Sequence, residues 1–211
     1  MRLLLPLLSL LILTACSNTI KVEETTDDGG KIVYYVSKDD GAREGEYTQY
    51  YPDGEVMSTA TYVNDTLDGE RRIFYPDGTL QILETYDNGD FEGPYANYYE
   101  DGNPLSKGNY VNSMQEGEWE SYYPGGQLRY LTTFEKGLEN GPFVEYYDNG
   151  TMSARGTFKQ GENEQGKLEK FDKETGDLYQ TMQCEMGRCS TTYLREGYNA
   201  FGRIPADEDD E

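Results

Sequence analysis

The sequence contains no histidine. Its absence removes the commonest general base near neutral pH and the commonest transition-metal ligand, which excludes Ser/His and Cys/His catalytic pairs and His-based zinc sites. Basic residues are also scarce: 18 Lys plus Arg stand against 40 Asp plus Glu in 211 residues, a formal charge of −22. Such a chain is repelled by DNA, RNA and anionic lipid headgroups, so no nucleic-acid partner is expected. Hydrophobic residues make up only 36 %, too few for one large globular core, and a compact α/β enzyme is disfavoured. Cysteine is confined to Cys16, Cys184 and Cys189, and tryptophan to Trp119. What the chain has instead is 20 Tyr, 7 Phe, 24 Gly and 8 Pro, a composition of many short strands and turns.

Arg2 followed by the apolar run Leu3 to Leu13 is too short to span a bilayer and reads as an export signal. The sequence Leu13-Thr14-Ala15-Cys16 resembles the lipobox of bacterial lipoproteins. That resemblance implies a signal peptide over residues 1–15 and an acylated Cys16, with diacylglyceryl and palmitate-type chains as the membrane anchor. An ordinary secretory signal with a cysteine at the cut is the other reading. Ser17, rather than Asp, after the anchor permits transfer to the outer membrane under the Gram-negative sorting rule, so the expected location is the bacterial cell envelope. Residues 16–31, with Glu23, Glu24, Asp27, Asp28, Gly29 and Gly30, read as a flexible tether. Residues 194–211, with five consecutive acids from Asp207, read as an acidic disordered tail.

Between them runs a fixed period. Gly45, Gly69, Gly93, Gly117 and Gly141 are 24 residues apart and Gly166 follows after 25; Gly54, Gly78, Gly102, Gly126 and Gly150 keep the same interval. Aromatic columns share it: Tyr50, Phe74, Tyr98, Tyr122, Tyr146 and Phe171, then Tyr62, Tyr86, Tyr110, Phe134 and Phe158. Repetition of this length means stacked units, none able to bury its apolar face alone. Within one unit Glu46 to Tyr51 reads as a strand, Pro52-Asp53-Gly54 as a turn and Glu55 to Val63 as a second strand. The expected fold over residues 32–193 is therefore all-β, an elongated antiparallel β-meander of about six 24-residue β-hairpin repeats. Twelve strands about 4.8 Å apart give a ribbon about 55 Å long.

Equivalent positions of successive units share a face, so each aromatic column becomes a ladder. Tyr51, Tyr75, Tyr99, Tyr123 and Tyr147, together with Trp119 from the column of Tyr47, Tyr95 and Phe143, form the candidate aromatic binding surface. The same rings serve equally as half-buried packing. Cys184 and Cys189 flank the last reversal, and the repeat count sets them opposite each other, as a disulfide that closes the stack. Their C-x4-C spacing is not a zinc signature, and no metal is expected. Acids at Asp53, Asp77 and Asp101 suit tight turns, and the spaced oxygens of a calcium loop are missing. No cofactor is expected.

The pattern Gly-x4-Tyr/Phe-Tyr-x2-Gly, followed by an apolar residue and Tyr/Phe-x-Asn/Lys-Gly, is similar to the variant MORN repeat of bacterial proteins, including those labelled the YwqK antitoxin-component family. It is carried by Gly45 through Gly54, Gly117 through Gly126 and the copies between. The resemblance implies an elongated β-sheet used for binding or scaffolding, with no catalytic residues. The expectation is a non-catalytic envelope lipoprotein whose sheet binds another envelope protein. A carbohydrate or peptidoglycan module and an antitoxin-like inhibitor are the alternatives.

Overall fold

The computed structural model describes residues 18–161 and 163–203. The leader, Cys16 and the acidic run from Asp207 lie outside the described residues. The chain runs as a meander that begins with β1 (Thr19–Thr25) and β2 (Lys31–Ser37). The first repeat hairpin is β3 (Arg43–Tyr50) with β4 (Val56–Val63). After the two-residue β5 (Thr66–Leu67) comes β6 (Gly69–Phe74) with β7 (Leu80–Asp87), and after β8 (Asp90–Phe91) comes β9 (Gly93–Tyr98) with β10 (Pro104–Val111). Three more pairs follow: β11 (Met114–Tyr122) with β12 (Leu128–Glu135), β13 (Leu138–Tyr146) with β14 (Met152–Phe158), and β15 (Gly166–Phe171) with β16 (Leu178–Glu185). β17 (Arg188–Leu194) closes the sheet, and β18 (Tyr198–Asn199) with β19 (Gly202–Arg203) forms a small separate hairpin.

Among the described residues the main sheet has 17 strands. Twelve belong to the six repeat hairpins, as the period requires; the others are β1, β2, β17 and the short β5 and β8. Two kinds of reversal alternate. At the hairpin tips Gly54 N–H donates to Tyr51 O at 3.0 Å and Glu55 O accepts from Tyr51 N–H at 2.8 Å. Gly54 sits at φ 96°, a conformation that carries no steric penalty without a Cβ. Asp53 Oδ1 accepts from Glu55 N–H at 3.1 Å, and Asp77 and Asp101 do the same two residues on. The acids at the tips are therefore turn formers. The links between hairpins are two-residue turns with both φ values positive, such as Asn64 (48°) and Asp65 (65°) or Lys136 (53°) and Gly137 (77°). Such turns match the twist of the strands they join.

Two side-chain staples recur along opposite margins, one tying each repeat to the next and one closing each repeat on itself. At the tip margin the hydroxyls of Tyr51, Tyr75, Tyr99, Tyr123 and Tyr147 donate to the carbonyls of Phe74, Tyr98, Tyr122, Tyr146 and Phe171 at 2.7–3.0 Å. At the link margin the carboxylates of Glu44, Asp68, Glu92 and Glu116 accept from the backbone N–H of Asn64, Asn88, Asn112 and Lys136. Each of these acids precedes a periodic glycine. They join the start of a hairpin's first strand to the turn that ends its second, a role that composition alone does not assign.

Both ends of the sheet depart from the sequence expectation. Part of the segment read as a tether is strand: β1 pairs over its whole length with β2, and Glu24 accepts from the Tyr34 hydroxyl at 2.9 Å. Pairing satisfies a full row of backbone groups, which outweighs the polar composition. The segment read as a tail begins folded. Tyr198 is 8 % exposed and stacks on Tyr179 with centroids 5.1 Å apart, while Arg203 reaches Asp172 at 3.3 Å.

Candidate interaction surface

Because strand residues alternate sides, the register sorts the sheet into two faces. On one, Tyr34 opposes Tyr47 and Tyr47 opposes Ala60; further along, Tyr95 opposes Gly108, Trp119 opposes Thr132 and Phe143 opposes Gly156. Large rings thus lie over small residues of the neighbouring strand. A Cβ on Gly108 would come within 2.1 Å of the Trp119 ring, so that glycine is required for close approach. Trp119 is 7 % exposed, meets Tyr95, Tyr110 and Phe134 at 5.7, 5.1 and 6.0 Å between centroids, and donates from Nε1 to Asn109 O at 3.2 Å. Nearer the C-terminus Phe143, Ala154, Leu168 and Cys184 form the buried cluster, packed against Tyr130, Phe158, Met182 and Cys189. Burial pushes the Tyr130 phenol well above its ordinary pKa. A polar group interrupts the ring column of this face at its second repeat. Arg71 takes the ring position of its repeat and bonds Glu84 at 3.0 Å, which also accepts from Tyr86 at 3.1 Å. A cation, an anion and a hydroxyl together satisfy a site that a lone charge would not.

The opposite face carries a different row. Cα partners run without a break through Arg72, Leu83, Ala96, Lys107, Glu120, Leu131, Val144, Arg155, Glu169 and Thr181. Lys107 pairs Glu120 at 3.5 Å and its ammonium lies 5.0 Å from the Tyr122 ring centre. Arg155 pairs Glu169 at 2.6 Å and lies over Phe171 at 5.5 Å. Lys167 also bonds Glu169, and the two cations hold that carboxyl below the usual carboxylate range, the Lys167 bond first and Arg155 second. Depressions of about 550 Å³, lined in part by Thr48, Thr59, Glu70 and Arg72, and about 240 Å³, lined in part by Val144, Arg155 and Glu169, lie on this face.

The six residues of the aromatic surface expected from sequence fall in two places. Tyr51, Tyr75, Tyr99, Tyr123 and Tyr147 form one column at the tip margin, half-buried, with every hydroxyl engaged by the following repeat. Trp119 lies apart from them in the ring column of the aromatic face. Cys184 and Cys189 are Cα partners 4.0 Å apart and are joined as a disulfide, tying β17 to β16. The charged row escaped the sequence reading because its members are ordinary surface residues. A signal existed: Lys107 and Arg155 stand 48 residues apart, two full periods.

A family model for the MORN repeat variant matches five consecutive stretches, residues 43–64, 67–88, 91–112, 115–136 and 139–160, just over half of the chain. The chain belongs to the MORN repeat variant family. Each MORN match ends on the first left-handed residue of a link turn, Asn64, Asn88, Asn112, Lys136 or Gln160, so the family unit coincides with one hairpin. The sixth hairpin, β15 with β16, extends the MORN stack beyond the matched stretches. No curated protein matches this MORN chain.

Proposed function

We propose that this chain is a non-catalytic scaffold of the bacterial cell envelope, held to a membrane by an acylated Cys16 and presenting its sheet to another envelope protein. The observation that carries the reading is the continuous one-layer sheet. Its rings and margins are committed to holding repeats in line, while the charged face alternates ion pairs with apolar couples across strands from β6 to β16. Ion pairs beside apolar residues are how a protein surface recognises a protein. The lipobox-like Leu13-Thr14-Ala15-Cys16 supports the anchor. Sugar stacking is less well supported, since the tyrosine column has its hydroxyls engaged by the following repeat and Trp119 has its N–H bonded and its ring packed among Tyr95, Tyr110 and Phe134.

The test places photo-cross-linking residues in the full chain, one at a time, at Thr59 and Leu83 of the charged face, in membranes. A second protein joined repeatedly from the charged face supports the scaffold. Recovery of no protein other than the chain itself rejects it, and displacement by cell-wall fragments transfers the reading to carbohydrate. For the anchor, Cys16→Ser is expected to move the chain from the membrane to the soluble fraction; an unchanged distribution rejects acylation there.

A further inference from the structure

The central row of the charged face, read strand by strand from β10 to β15, runs Lys107, Glu120, Leu131, Val144, Arg155, Glu169. In charge terms this is cation, anion, two apolar residues, cation, anion. Reversed, it runs anion, cation, two apolar residues, anion, cation, which is its own electrostatic complement. We propose that this face joins two copies of the chain, packed face to face about a two-fold axis that passes between Leu131 and Val144 and lies parallel to the strands. The proposal rests on the scaffold reading and gives the β10–β15 part of the charged face to a second copy, leaving the β4–β7 part, where Thr59 and Leu83 lie, to the envelope partner.

Such an axis reverses strand order while keeping each row over itself. Leu131 then meets Val144 of the second copy, Glu120 meets its Arg155, and Lys107 meets its Glu169, with every contact occurring twice. Glu120 and Arg155 are the outward members, with side chains 39 % and 52 % exposed, whereas Glu169 at 9 % is already held by Arg155 and Lys167. The decisive pair is therefore Glu120 with Arg155. Packed sheets cross at roughly 30° because each is twisted, which concentrates contact near the axis, where the two apolar residues and this pair lie. Six strands about 4.8 Å apart and three rows about 7 Å apart give a patch on the order of 600 Å² per copy, near the roughly 800 Å² per partner of a standard interface. Electrostatics selects the same face. The two margins carry acids such as Asp65, Asp68, Asp90, Glu92, Asp53 and Asp77, which repel a second copy of a chain with net charge −22.

The experiment uses the full chain in detergent micelles, with self-association followed by sedimentation equilibrium and strand content by circular dichroism. Glu120→Lys and Arg155→Glu each place like charges across the axis, and each is expected to weaken association at least about tenfold. Mixing the two variants is expected to restore it to within about threefold of the unaltered chain, because in the mixed pair every axis-related contact again joins opposite charges. Where a reversal does not fold, Glu120→Gln combined with Arg155→Gln is expected to weaken association about threefold or more. An unaltered chain that stays monomeric at about 100 μM, variants that associate as well as it does, or folded variants that fail to recover on mixing would overturn the proposal. None of these results touches the scaffold reading, which falls only on the cross-linking result described above.

Discussion

The two faces of the sheet are built by the same strands from residues one position apart, yet they differ in kind. On the aromatic face rings interlock across strands and reach burial of 7 % exposure at Trp119 and 6 % at Phe143. On the charged face Lys107 and Arg155 remain about half exposed while pairing with Glu120 and Glu169. A one-layer sheet can thus acquire a core on one side only, if large side chains lie over glycine, alanine or threonine of the neighbouring strand. The other side is then released from packing duty. Ion pairs there contribute little to stability, so their alternation with apolar couples is better understood as recognition than as support.

The sharpest way to break the contrast is to remove its largest ring. Trp119→Ala is expected to cost about 3–5 kcal/mol, read from urea unfolding of the full chain. A loss under about 1 kcal/mol would mean that the aromatic face is not a core. Next comes the end of that face: Cys184→Ser with Cys189→Ser should cost about 2 kcal/mol, the chain-entropy value for so short a loop. Hydrogen exchange should rise in β17 before it rises in β3, and uniform loosening would contradict a local closure. Smaller again is Tyr99→Phe. It deletes one donor to Tyr122 O and is expected to cost about 1 kcal/mol, without change in the spectroscopic signature of the strands.

The smallest effect belongs to the charged face. Glu169 has its folded pKa lowered by Lys167 and Arg155, so its contribution is present in full above its unfolded value of about 4.5 and is lost as pH falls through the folded value. With Arg155 half exposed and screened by solvent, Arg155→Ala is expected to change stability by less than about 1 kcal/mol at neutral pH. It should also flatten the acid limb of the stability curve below pH about 4.5. A larger loss at neutral pH would place that residue in the core and erase the distinction between the faces.

Much of this was legible because the period repeats the same local choices. Pro52-Asp53-Gly54 and its copies specify the hairpin tips, and the counted distance from Gly176 set Cys184 opposite Cys189. Less legible was the acid before each periodic glycine. Glu44, Asp68, Glu92 and Glu116 have the composition of surface residues, and only the closed hairpin brings them the N–H groups of the turn 20 residues on. The segment Thr19–Thr25 misled for a related reason: its polar side chains face water, while its place in the sheet is set by backbone pairing with β2.

The sequence by itself determined the repeat, its length, the strand-turn-strand unit and the antiparallel order, since each follows from residues within about two dozen positions of one another. Tertiary structure alone decided which side of the ribbon became a core, which tyrosine hydroxyls were consumed as staples, and that Lys107, Glu120, Arg155 and Glu169 fall on a single row. The physical reason is register. A bulge or a one-residue turn difference sends a side chain to the opposite face, and neighbours gathered across strands from separate repeats are fixed only when every pairing is in place.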